Sequence, residues 1–227
     1  MIPNGKLVAS DGKQIAVFPS TELNITQGTN TNYSHRCTKN TDNAVRSGAS
    51  RNIYAPVDMK CVANHSSAGY GVVIYHTIEK VYTARYGLTH FTLVMMHDNN
   101  ASRWQVGKIY RQGEHIYTEG DADPSGLTTG IHVHYEVALG HTTTRTRSCE
   151  NGYLHITPNQ VYLDDIFFKN MTVFVKENAT GQFTGDHVFN FLEWKGSVDP
   201  DPDPTPPSKT GDDMLVAMLV RAYPNSI

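Results

Sequence analysis

Three patches of this 227-residue sequence carry side chains able to hold a metal or move a proton. The densest reads Thr128-Thr-Gly-Ile-His132-Val-His134-Tyr-Glu136-Val. Ile131, Val133, Tyr135 and Val137 alternate with His132, His134 and Glu136, and a period of two marks a strand whose two faces differ. One face is then apolar and inward, and the other presents two imidazoles and a carboxylate. Side chains at i and i+2 stand about 7 Å apart along a strand. At that spacing one imidazole can hold a metal while its neighbour meets a substrate; a polar sheet face with no metal is the other reading. The second patch is Phe91-Thr-Leu-Val-Met-Met-His97, an apolar strand ending in histidine just before Asp98-Asn-Asn. Site residues often sit at such strand-to-turn junctions, although on its own His97 also suits a structural or surface role. The third is His35, with Asp42 seven residues on, in a polar stretch predicted to be loop. Both are zinc-compatible ligand types.

The elements that must position these patches read as β-rich. Strands are predicted at 14–18, 52–55, 60–63, 71–75, 91–96, 115–117, 132–138 and 171–175. Turn signals separate them at Asp11-Gly12, Gly69, Asn99-Asn100, Gly113, Gly120 and Pro124-Ser-Gly126. One helix is predicted around 78–86, with Val81 and Thr83 arguing against it. Past the histidine-rich patch, 154–159 and 164–168 followed by 171–175 suggest further strands that close the sheet. The expected organisation is a domain over 1–197, a linker over 198–210 and an apolar tail over 211–227. The linker rests on Val198-Asp-Pro-Asp-Pro-Asp-Pro-Thr-Pro-Pro, where fixed φ angles and mutually repelling aspartates favour an extended chain.

Composition excludes several classes. The chain is 39% hydrophobic and 18% charged, so wholesale disorder is not expected. A net charge of -3 lacks the basic surplus of a dedicated nucleic-acid binder. No apolar run approaches the roughly 20 residues of a membrane span, and Met1-Ile-Pro-Asn-Gly-Lys6 carries no secretory apolar region. Cys37, Cys61 and Cys149 form no Cys-x-x-Cys pair, so neither a cysteine zinc knuckle nor a disulfide framework is expected, and Cys37 reads as incidental.

Several segments together follow a known order. They are Leu23-Asn-Ile-Thr-Gln27 with Tyr33-Ser-His35, Ile53-Tyr-Ala-Pro-Val-Asp58, Gly69-Tyr-Gly71, Val94-Met-Met-His97, the spaced glycines Gly107, Gly113 and Gly120, and Thr129-Gly-Ile-His132-Val-His134-Tyr-Glu136-Val137. Over about residues 20–140 the sequence resembles the LAS-type zinc endopeptidases of the lysostaphin/LytM group, especially their bacteriophage lysins. The last segment is the most specific of the set. The resemblance implies an antiparallel β-sheet core with long loops walling a groove. It implies Zn2+ held by His35, Asp42 and His134, with His97 and His132 facing the attacking water and the substrate. Three protein ligands leave the open position that catalytic zinc needs. The opening histidine and aspartate stand seven apart where four is usual in the family, a longer spacing found in phage members, and Asp98 stands where the family often has Leu.

The function this implies is hydrolysis of peptide bonds in bacterial peptidoglycan, in the stem or the cross-bridge. The product would be made by a phage in the host cytoplasm and would act on the wall, with other virion tail proteins as candidate partners of the C-terminal tail. Three other readings stand beside it: a virion tail attachment protein carrying the peptidase module, a zinc amidase cutting the muramoyl–alanine bond, and a non-catalytic wall-binding domain. Retention of both His97 and His132 argues against the last. Glu136 reads either as a carboxylate that orients a ligand histidine or as a simple solvated or salt-bridged one, and His155 is among seven histidines matching no motif position and expected to be surface or structural.

Overall fold

The computed structural model describes residues 7–31, 33–46, 48–126, 128–147, 153–169, 173–174 and 185–193. The expected linker and tail lie outside the described residues. The first strands are β1 (Leu23–Gln27), β2 (Thr41–Asn43), β3 (Asn52–Tyr54), β4 (Met59–His65) and β5 (Val72–Thr77). Next come β6 (Val81–Thr83), β7 (Gly87–Thr89), β8 (Phe91–Met96), β9 (Ile109–Tyr110), β10 (His115–Thr118) and β11 (Val133–Leu139). Then follow β12 (Arg145–Arg147), β13 (Leu154–Ile156), β14 (Gln160–Val161), helix α1 (Leu163–Ile166) and β15 (Val173–Phe174). Among the described residues, nine strands form one sheet in the order β15-β1-β2-β11-β8-β5-β4-β9, with β14 also on β11. Every pairing in it is antiparallel except β1 with β15. The architecture is mainly antiparallel β, as the sequence indicated.

The alternation in β5, β8 and β11 sends side chains to two different cores. Val73, Tyr75, Phe91, Leu93, Met95, Val133, Tyr135 and Val137 enter the main one with Phe18 and Phe167. Val72, Ile74, Val94, Met96 and Ala138 enter a smaller core on the opposite face, together with Ile156 from β13. Val133, Tyr135 and Val137 therefore pack inward as predicted, with Tyr135 fully buried and its hydroxyl bonded to Ser20, whereas Ile131, before the strand, stays 37% exposed. The polar face is buried as well, because β13 covers it: Glu136 has no exposure and His134 only 3%. A buried tyrosine keeps its hydroxyl partnered, and Tyr75 and Tyr117 do so on the carbonyls of Ile116 and Gly71.

Three sequence expectations are corrected. The helix predicted around 78–86 is instead the β6–β7 hairpin, with Val81 opposite Thr89 and Thr83 opposite Gly87. β-branched Val81 and Thr83 favour extended backbone, and Gly87 supplies a positive φ of 61° at the turn. The strand predicted at 164–168 begins as the single helical turn α1. Asp165 accepts the Tyr162 N–H at 3.1 Å, a side-chain cap that an extended segment would not offer. Cys37 is disulfide-bonded and Cys61 is buried and free, while Cys149 lies outside the described residues. Sequence spacing carried no sign of that bond, since proximity in space is set by the fold.

Candidate active site

Strand register assembles the site. Asp42 on β2 is the direct partner of His134 on β11, and His134 is also the partner of Met96 on β8. His97 follows Met96, and His132 precedes β11 on a bridge to Gly120. Asp42, expected in a loop, thus lies on a short strand. The fifth residue, His35, sits on a 3-10 turn over Tyr33–His35. Its carbonyl accepts both the Thr38 N–H (3.1 Å) and the Thr38 hydroxyl (2.9 Å), which closes the turn. All five predicted site residues come together.

Three ligand atoms converge at the floor. His35 Nε2 lies 3.0 Å from His134 Nδ1 and 3.2 Å from Asp42 Oδ1, and His134 Nδ1 lies 2.9 Å from Asp42 Oδ1. A tetrahedral zinc ion with bonds near 2.0 Å sets its ligand atoms about 3.3 Å apart. The tautomers follow from the outer partners. His35 Nδ1 lies 2.9 Å from the Gly28 carbonyl, which can only accept, so that nitrogen carries the hydrogen. His134 Nε2 lies 3.1 Å from Glu136 Oε1 and donates to it. With both neutral, two bare imidazole nitrogens and a carboxylate oxygen face one another with no donor among them. Three acceptors in a buried place fit a cation, and a His/His/carboxylate set suits zinc. Without a metal a proton serves: burial depresses His134, but Asp42 and Glu136 outweigh it and hold the ring up at about 9. Burial likewise opposes ionisation of Asp42, yet His35, His132 and His134 keep its carboxyl well below the usual range.

Glu136 fixes the outer side of His134. Its Oε2 accepts the Ile156 N–H at 2.6 Å, and Oε1 also lies 3.1 Å from His155 Nδ1. Carboxylates of this kind orient a ligand imidazole and raise its basicity. His155 is 3% exposed, so it is neither at the surface nor remote from the site; its place behind Glu136 left no trace in spacing.

His97 and His132 line the mouth, with ring centroids 4.5 Å apart. Strict alternation along β8 would turn His97 to the Met95 side. A φ of +89° breaks that alternation and brings its ring over to His132 and within 6.2 Å of the His134 ring. Non-glycine residues rarely hold such a φ, and they do so mainly at sites. The backbone around His97 is clamped by its N–H on the Tyr70 carbonyl (2.8 Å) and its carbonyl on the Ala122 N–H (3.0 Å). His97 Nδ1 donates to the Ala122 carbonyl (2.9 Å) and His132 Nδ1 to the Gly130 carbonyl (2.8 Å). Both Nε2 atoms are therefore the free ends; that of His132 lies 3.7 Å from Asp42 Oδ2. Burial, then the neighbouring His132, depress His97 to about 4, leaving it neutral at pH 7.

The remaining candidates are accounted for. Asp58 accepts Gln14 Nε2, the Gln112 N–H and the Arg111 guanidinium, so it is structural. Asp98 accepts the Asn100 N–H, the Trp104 indole and Arg103, and so holds the loop after His97. Tyr70 is 37% exposed next to Gly71 and is available to a groove, whereas Tyr135 is core. Among the described residues, no helix is long and apolar enough to cross a membrane.

No family model matches the chain. A curated relative, Morphogenesis protein 1 of Bacillus phage B103, is 33% identical over 132 residues, covering 58% of this chain. The chain spans about a third (34%) of that relative's length. Three solved structures align partially. A zinc-containing peptidase from Vibrio cholerae is 20% identical, covers 58% of this chain and 42% of its own, and has a TM-score of 0.35. Csd3 of Helicobacter pylori is 23% identical, with 60% and 34% covered and a TM-score of 0.38. The catalytic domain of the antimicrobial peptidase lysostaphin from Staphylococcus simulans is 17% identical, with 52% and 78% covered and a TM-score of 0.35.

Proposed function

We propose that this chain is a zinc-dependent endopeptidase of the lysostaphin/LytM type that cuts peptide in bacterial peptidoglycan. The observation that carries the reading is the buried convergence of His35 Nε2, Asp42 Oδ1 and His134 Nδ1, with two further imidazoles presenting free Nε2 atoms beside it. The order of the sequence motifs around those five residues supports the same family. When bound, zinc supplies Lewis acidity and lowers the pKa of a coordinated water to about 7.

The chain's own residues do the rest. His35, Asp42 and His134 bind the ion, and Gly28 and Glu136 hold the two imidazoles in the tautomer that bares the ligand nitrogen. His97, neutral at Nε2, accepts a proton from the attacking water. His132, on the more open side, turns Nε2 toward the substrate and, when both of its ring nitrogens carry hydrogen, donates to the carbonyl oxygen as charge develops on it; the proton taken by His97 passes to the departing amine. Tyr70, 37% exposed and joined to His97 through its backbone carbonyl, is available as an apolar wall for a short peptide.

The test is metal analysis paired with clearing of purified peptidoglycan by wild type and His134→Ala. About one zinc per chain, clearing by wild type and its loss in the variant are expected. Clearing that survives the variant overturns the reading. Mass spectrometry of the fragments separates a peptide cut from the muramoyl–alanine cut of an amidase. The name of the phage relative favours one addition, association with a virion during its assembly, which co-purification with particles would reveal.

A further inference from the structure

The segment 185–193 lies about fifty residues beyond the last site histidine, yet it reaches back to the loop that presents His35. It is anchored at its far end. Phe191 packs edge-on against Phe18 in the main core at 5.5 Å, and the Asn190 N–H donates to Asp164 at 2.8 Å. At its near end, Gly185 lies so tightly on Thr29 that a Cβ there would meet the Thr29 nitrogen and oxygen at 2.6 Å, and its φ is +79°. Only glycine fits such a close approach with that backbone.

Asp186 then takes hold of the loop with three bonds. Its N–H donates to the Thr29 carbonyl (3.2 Å), Oδ1 accepts the Thr29 hydroxyl (2.7 Å) and Oδ2 accepts Asn30 Nδ2 (2.9 Å). Asn30 passes the grip onward. Its Oδ1 accepts the Cys37 N–H (2.9 Å) and its own N–H donates to the Thr38 carbonyl (2.9 Å). Thr38 closes the turn on the His35 carbonyl, and Gly28, next to Thr29, supplies the oxygen that sets the His35 tautomer. Asn30 has no freedom to flip, since its oxygen is committed to Cys37 and its amide must then face a carboxylate.

We infer that Asp186 is a positioning residue for the metal centre, holding the Thr29–Asn30 loop so that His35 Nε2 stays in register with Asp42 and His134. The inference rests on the metal-site reading above. It assigns a role to a segment outside the sequence motifs, and it makes 185–193 part of the working domain.

The experiment measures zinc affinity of the full chain by competition with a chromophoric chelator, with a urea midpoint on each metal-free variant. Asp186→Ala is expected to weaken zinc binding about tenfold, the lower end of the range for groups bonded directly to a ligand, since Asp186 acts on His35 through Asn30 and Thr38. Asp186→Asn is expected to weaken it less, because its oxygen can meet the Asn30 amide only by turning its own NH2 to the Thr29 hydroxyl, and the charge is lost. The double variant Asn30→Asp with Asp186→Asn restores one donor facing one acceptor, keeps the net charge, and is expected to recover affinity to within about threefold. A purely structural role would lower the urea midpoint without that exchange-dependent recovery. Unchanged affinity in Asp186→Ala, or a double variant that folds and stays weak, overturns the inference alone. Absence of zinc binding by wild type overturns the metal reading and this inference with it.

Discussion

Gly120 lies directly beneath His97, and a Cβ on it would overlap the His97 carbonyl oxygen and crowd the Asn99 backbone nitrogen at 2.9 Å. The left-handed backbone that re-aims His97 therefore exists only because position 120 carries no side chain. Gly120→Ala is expected to push the 97–99 backbone away while leaving His35, Asp42 and His134 in place. Displacing a reacting group by about 1 Å costs on the order of a hundredfold in rate. Zinc content should stay near one per chain while peptidoglycan hydrolysis falls by that factor; a variant with full activity would show that His97 is not held by this contact.

Glu136 is a second point of control, reached through His134. Replacing it with Gln leaves one acceptor oxygen for two donors, the His134 Nε2–H and the Ile156 N–H. One of them then faces an NH2 group in a fully buried place. The expected result for Glu136→Gln is a zinc affinity weaker by about 10- to 100-fold and a loss of roughly 1–3 kcal/mol in unfolding free energy. Chelator competition and urea titration check both, and wild-type affinity would remove Glu136 from the site.

Much of this was legible in the residues. The period-two pattern of 131–137 located β11 to within a residue, and the run 91–96 matches β8. The β11 segment alternates polar and apolar residues over 131–137, and β8 is an apolar run of strand length closed by a turn signal. Thr41–Asn43 was not seen as a strand, because three polar residues carry no hydrophobic period; their partners on β11 make the strand. The apolar sequence of 131–137 predicted one buried face, but the burial of Glu136 depends on β13, some twenty residues away, which no local pattern reports. The roles of Gly28 and Asp186 were out of reach for the same reason. One acts through a backbone carbonyl, and the other lies about 150 residues from the loop it holds.

Phe191 tests whether the 185–193 segment belongs to the domain. It is 8% exposed and stacks near Phe18 and Phe189 in the main core. Phe191→Ala should cost about 3 kcal/mol or more, the usual range for a buried aromatic truncated to Ala. An unfolding free energy within about 0.5 kcal/mol of wild type, the range of a surface substitution, would show that the segment is dispensable.

Stability should also fall as pH rises across the neutral range through Glu119. Burial pushes its carboxyl up to about 8, against the Val45 N–H and Arg51, which favour the charge. Its ordinary value is 4.5, so the folded protein holds a proton that the unfolded chain has released. The stabilisation is full below about 4.5, declines by up to about 1.4 kcal/mol per pH unit above it, and is lost above about 8. Glu119→Gln keeps an oxygen for Asn43 Nδ2 and removes the titration, so its urea midpoints at pH 5, 6.5 and 8 should lie on a flatter line. Parallel lines for wild type and variant would assign the slope to other groups.

A histidine cluster at the opposite end of β8 from His97 works in the other direction. His76 stacks on His141 with ring centroids 4.6 Å apart, and His90 lies 4.3 Å from the same ring. Burial first, and then mutual repulsion, lower His76 and His90 below 6.5, with Lys80 adding to the effect on His90 and Glu79 opposing it. A depressed histidine favours the fold fully above its unfolded value and loses that contribution as pH falls through its folded value, because the unfolded chain takes the proton first. The cluster should therefore destabilise the protein below about pH 6.5. His141→Asn removes the shared neighbour of both rings and should shift the acid limb of the stability profile to lower pH, leaving the Glu119 limb unmoved. Acid denaturation followed by tryptophan fluorescence reads this directly, and an unchanged acid midpoint in the variant would place the sensitivity elsewhere.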